Sequence, residues 1–224
     1  MPLPPQSELT PAGMPKGGAL FAPGGRDALL AAAEARLSEA AGVWRMRLLA
    51  RDLIDALGPA VESALCGAGI RARLRRVASV RITRGVREYG SCNIPRGDDG
   101  TCRLAFSGHL FFPGNAAALL DGVAHELLHA CLPAREGHGG LFHRGMAVLN
   151  ERLGLHIQVY SEKTAIRQSE ALYRYKVVCA ACGNVFYYLR AGAVVRHPSR
   201  YRCAKCGEGA FEVYRLAAET SEKS

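Results

Sequence analysis

The sequence predicts an α+β fold, with helices around a small β-sheet followed by a small β-rich module. Three observations carry this expectation. Apolar residues recur at helical spacing in several segments, while Val80 to Thr83 and Cys102 to Ser107 alternate as strands do. From Tyr173 the composition changes to paired cysteines, tyrosines and arginines, which marks a separate module. At 224 residues and 49% hydrophobic content, the chain can bury one sizeable core beside such a module.

Taken in order, residues 1–25 carry Pro and Gly without periodicity and read as a disordered tail, as do residues 217–224. The main domain is expected over 26–165 and the module over 171–216. Asp27 to Ala40, rich in Ala, Leu and Glu, predicts a helix. Val43 to Leu57 predicts a second, with Leu49, Leu53, Ile54 and Leu57 at helical spacing and Gly58-Pro59 as its stop. Gly90 to Thr101 reads as a turn-rich connection between two strands. Asn115 is the expected N-cap of a third helix, whose core stripe is Leu120, Val123, Ala124, Leu127 and Cys131 and which Pro133 closes. After Gly137-His138-Gly139-Gly140 comes a fourth helix, Leu141 to Leu153, with Phe142, Met146, Leu149 and Leu153 inward and Gly154 at its end.

The third helix carries His125-Glu126-Leu127-Leu128-His129. Histidines four apart on a helix project from one face and can bind one metal ion. Glu126, one residue around, is near enough to take a proton from water at that metal but poorly placed to ligate it. This HExxH pattern on a helix with an apolar face is the arrangement of a zinc peptidase, with Glu126 as general base. A catalytic zinc needs a third protein ligand, and His138, His143, Glu136 and Glu151 are the candidates. His138 is favoured because flanking glycines let backbone pass close to a metal. Glu151 has a suitable separation from His129 but lies opposite its own helix's apolar stripe.

Cys179, Cys182, Cys203 and Cys206 form two CxxC pairs with twenty residues between them, each followed by glycine. That spacing suits four thiolates around a structural zinc, and a redox-active CxxC would not predict two matched pairs. The remaining thiols, Cys66, Cys92, Cys102 and Cys131, read as reduced or buried; Cys92 and Cys102 could pair if oxidised.

A formal charge of +9 favours a polyanionic partner. Arg71, Arg73, Arg75, Arg76, Arg81, Arg84 and Arg87 precede and enter the first strand. Arg190, Arg196, Arg200, Arg202 and Lys205 surround the cysteine module, interleaved with Tyr175, Phe186, Tyr187, Tyr188 and Tyr201, and are the candidate nucleic-acid contacts. No secretory signal and no apolar run of about 20 residues is visible, so a cytoplasmic protein with no membrane partner is expected.

Tyr89-Gly90-Ser91-Cys92-Asn93, Arg103-Leu104-Ala105-Phe106-Ser107, the HExxH run and Gly137-His138-Gly139-Gly140-Leu141-Phe142 together resemble the SprT-like zinc peptidases, the family of the DNA-dependent protease Spartan. The resemblance covers about residues 40–215. It implies a zincin-like metallopeptidase domain with a C-terminal zinc ribbon, and one catalytic and one structural Zn²⁺. It further implies His138 as third ligand and protein substrates on single-stranded or junction DNA, with the chain chromosome-associated. Family members often have Pro-Glu where this chain has Gly140-Leu141, a departure affecting the local turn. In the family the strand before the active-site helix lines the cleft, which makes Cys102 to Ser107 a candidate edge for an extended substrate. Two rival readings share these residues: a non-enzymatic nucleic-acid-binding adaptor, and a general cytosolic peptidase without DNA dependence.

Overall fold

The structure, a computed structural model, describes residues 25–39, 42–85, 88–97, 100–159 and 173–216. The expectations for Arg87 and for the two tails fall outside these residues, apart from Gly25, which begins a helix. The chain divides into two compact units, Met1–Arg167 and Gln168–Ser224, each mixing helix and strand. No described helix is long and apolar enough to cross a membrane.

In the first unit, α1 (Gly25–Glu39) buries Leu29, Ala33 and Leu37, one per helical turn. The second helix, α2 (Val43–Gly67), runs ten residues past its expected stop and keeps Pro59 inside it. The reason is burial. Ala60, Val61, Ala64 and Leu65 continue the apolar face beyond the proline, and Pro59 itself is exposed. The Asp55 carbonyl, which a proline cannot serve, is therefore on the side that water can reach.

Strands β1 (Arg76–Thr83), β2 (Gly90–Asn93) and β3 (Thr101–Ser107) form one sheet in the order β1-β3-β2. The first pairs with β3 in parallel and β2 pairs with β3 antiparallel. Two expectations are corrected here. Gly90–Asn93 is a strand rather than a connection, although its composition lacks strand residues, because its backbone pairs with β3 and its inner residues meet a helix. Cys102 to Ser107 is the central strand, so its hydrogen-bonding edges are both occupied and β2 is the edge beside the HExxH helix.

That helix is α3 (Ala116–Cys131), packed against α1, α2, the sheet and α4 (Gly140–Leu153). Leu119, Leu120, Val123, Ala124, Leu127, Leu128 and Cys131 are buried along it. Asn115 stands at its N-cap position, but its side chain caps nothing there; its Nδ2 donates to the His109 carbonyl at 2.8 Å. Arg75 caps the other end, donating from Nη1 to the Ala130 and Leu132 carbonyls at 2.9 and 2.7 Å.

The second unit holds β4 (Tyr175–Cys179), β5 (Val185–Tyr188), the short α5 (Ala193–Arg196) and β6 (Phe211–Arg215), with sheet order β5-β4-β6. Its buried hydrophobic residues, among those described, are Tyr173, Val177, Cys179 and Cys203. Two of those four are candidate metal ligands, so little else supplies a core.

Candidate metal centres

Helix α3 presents His125 and His129 one turn apart, and the turn before α4 brings His138 to them. His138 Nε2 lies 3.1 Å from His125 Nε2 and 3.0 Å from His129 Nε2. Nitrogens about 2.0–2.1 Å from a tetrahedral zinc are separated by about 3.3 Å, so this donor set fits the ion. The three rings converge over Phe142, with centroids 4.5 to 4.9 Å from its own. Phe142 is fully buried and acts as the floor on which they rest.

The other nitrogen of His125 fixes its role. Nδ1 sits 3.0 Å from the Gln158 carbonyl, so it carries the proton and leaves the Nε2 lone pair toward the metal position. Burial pushes the His125 and His129 rings down to about 4, helped by the neighbouring imidazoles, and burial also lowers His138. All three are thereby neutral, the form that ligates.

The other candidate ligands lie elsewhere. Glu136 accepts the Leu141 backbone N–H at 2.7 Å and so caps the start of α4. His143 and Glu151 are exposed on α4 and do not join the histidine group.

Glu126 is 4% exposed, and its Oε2 has no hydrogen-bond partner among the described residues. Burial, with Glu88 adding repulsion, raises its carboxyl to about 8. It is held against the backbone of β2: a Cβ built on Gly90 would stand 2.8 Å from Glu126 Cγ and 2.9 Å from Cδ. Gly90 is thus a close-approach glycine, and the carboxylate occupies the space that its missing side chain leaves.

A cleft of about 1100 Å³ opens over these groups. Residues 88–94 line one side, with Asp121, Gly122, His156 and Gln158 also in its wall. Glu88, Asp121 and Glu126 are in this lining and no described Lys or Arg is, in a chain with a surplus of nine positive charges. Asp121 Oδ1 accepts the His156 N–H at 2.9 Å.

In the second unit the four expected cysteines meet. Cys179 and Cys206 sulfurs are 3.6 Å apart, Cys182 and Cys203 sulfurs 3.7 Å, and all four Sγ lie within 4.8 Å of one another. Zinc–sulfur bonds of about 2.3 Å in a tetrahedron give edges of about 3.8 Å, so four thiolates fit zinc here. Gly183 and Gly207 adopt φ of 69° and 80°, and their N–H groups return to Cys179 and Cys203 carbonyls at 2.8 Å. The Cys203 thiol is pulled down to about 6, chiefly by the Cys206 backbone N–H.

Arg190, Arg196, Arg200, Arg202 and Lys205 are all exposed on this unit. Of the interleaved aromatics only Tyr201 is exposed; Tyr175, Phe186, Tyr187 and Tyr188 are half-buried, and Tyr187 stacks on Tyr173 at 4.9 Å. Cys92 and Cys102 are free thiols hydrogen-bonded to each other, and Cys131 is buried, its thiol pushed up to about 12.

Gln158, Gly90 and the supporting role of Phe142 escaped sequence reasoning. A backbone carbonyl leaves no trace in residue identity, and a glycine beside a carboxylate has no periodic signal. No protein-family model, curated protein or solved structure matches this chain.

Proposed function

We propose that the chain is a zinc endopeptidase of the zincin-like, SprT-like kind, acting on proteins held on DNA. The observation that carries this reading is the buried Glu126 carboxylate, with a partnerless oxygen among the described residues, beside three converging Nε2 atoms. A purely structural ion would need the imidazoles alone. A buried orphan acceptor costs stability, and such groups concentrate at reactive sites.

His125, His129 and His138 would hold the catalytic ion, and the four cysteines a structural one. Zinc, when bound, supplies Lewis acidity toward the scissile carbonyl and lowers the pKa of water to about 7. The charge of the bound ion beside Glu126 would favour the ionised carboxylate over the raised value of the metal-free site. Glu126 then takes the proton from the attacking water at its free oxygen and later delivers it to the leaving amine. Phe142 and the Gln158 carbonyl hold the imidazoles in place. Edge strand β2, whose outer side pairs with no described strand, offers its backbone to an extended substrate. The carboxylates of Glu88 and Asp121, in a cleft whose described lining has no Lys or Arg, favour basic substrate segments, as DNA-bound proteins carry. Arg190, Arg196, Arg200, Arg202 and Lys205 are the proposed nucleic-acid contacts of the ribbon.

Glu126→Gln is expected to keep zinc and to lose cleavage of a basic protein by roughly 10²–10⁴-fold. Full residual activity would remove Glu126 from the chemistry. Absence of any cleavage by the zinc-loaded wild type would favour the adaptor. Wild-type cleavage is expected to rise on adding single-stranded DNA at low salt and to lose that gain at raised salt. A rate indifferent to DNA at every salt would leave a general peptidase.

A further inference from the structure

We propose that the outer face of the β1-β3-β2 sheet binds the phosphodiester backbone of a nucleic acid through Arg76, Arg81 and Arg103. The register makes the case. Side by side across the sheet lie Arg76 with Thr101, then Ser79, Arg103 and Asn93, then Arg81, Ala105 and Ser91. Strand neighbours in one row point to one face. The alternate rows, Val80 with Leu104 and Ile82 with Phe106, face the core, and Leu104 and Phe106 are 1% and 0% exposed. A register shift between Val77 and Ser79 lets Arg76 and Arg81, an odd number of positions apart, share the outer face. Arg76, Arg81, Arg103, Ser79, Ser91 and Asn93 are all exposed.

Three guanidinium groups therefore share rows on which no described residue is acidic. None of the three makes an ion pair with a described residue. Like charges close together on a sheet oppose folding, and a polyanion would relieve that repulsion. Arg76 and Arg81 stand about 15 Å apart along β1, with Arg103 on the adjacent strand. The exposed Ser79 and Ser91 hydroxyls and the Asn93 amide are donors that phosphate oxygens accept, whereas Thr101 and Ala105 on the same rows are 9% and 8% exposed and add no contact. No aromatic side chain stands on these rows to stack on a base, so the contact reads charge rather than sequence. No large apolar side chain stands out from these rows either, as a membrane-surface contact would need.

The chain's fold, not its sequence, assembles this surface: Arg103 joins the others only because β3 lies between β1 and β2. It uses none of the ribbon's arginines, and it stands or falls without the peptidase reading, because its test measures binding alone.

The full chain with Arg76, Arg81 and Arg103 all changed to Gln is compared with wild type by fluorescence anisotropy on single-stranded and duplex DNA. The slope of log K against log salt is expected to fall by about 2 on single strands and somewhat more on duplex, equally for unrelated sequences. The corresponding Lys triple should keep most of the slope, which separates charge from folding; zinc content and circular dichroism are read on both. An unchanged slope in the Gln triple would overturn the proposal. So would a loss confined to polyglutamate or to anionic vesicles, which would assign the face to an acidic peptide or a lipid surface.

Discussion

At the candidate active site one position leaves no room for a side chain, and it is Gly90. Any Cβ there would lie 2.8 and 2.9 Å from the Cγ and Cδ of Glu126, so the carboxylate must move. Misplacement of a catalytic group by about 1 Å costs on the order of 10²-fold. Gly90→Ala is therefore expected to lower kcat by about that factor while zinc content stays at the wild-type level. Equal activity in Gly90→Ala would mean that Glu126 has slack the structure does not show. His138 illustrates the same point from the ligand side. Its flanking glycines made it legible in sequence, but the exclusion of Glu136 came only from its hydrogen bond to Leu141.

Within helices and strands, local rules and tertiary burial compete. Gly58-Pro59 is a sound stop signal in isolation, yet α2 continues because the apolar residues beyond it would otherwise lose their burial. Ala60, Val61, Ala64 and Leu65 are each 1% exposed or less. Restoring a donor to the Asp55 carbonyl by Pro59→Ala is expected to stabilise the protein by roughly 1–2 kcal/mol, read as a rise in Tm. A fall in Tm would show that the proline's restriction of the unfolded chain outweighs the missing bond. Strand β2 is the converse case. Gly90 to Asn93 carries no strand signal, and only its pairing with β3 and its packing on α3 make it extended.

Across the full chain, the two units differ in what holds them. The first has a continuous apolar core running from Leu29 to Ile157. The second buries Tyr173 and Val177 beside two of its cysteines, so it is expected to need an ion held by the four cysteines in order to fold. Cys182→Ser should lower the zinc count from about two per chain to about one and expose the amides of residues 173–216 to hydrogen exchange, while those of α2 and α3 stay protected. Unchanged protection of 173–216 would mean that the unit holds itself together without the ion. Short-range spacing was enough to read the helical periods of α1, α3 and α4, the HExxH turn and the two cysteine knuckles. The length of α2, the central place of β3, the capping role of Glu136 and the joining of Arg103 to Arg76 and Arg81 emerged only from packing. Spacing dictates which side chains share a helix or strand face, whereas meetings between elements depend on how buried surfaces fit together, which no local pattern records.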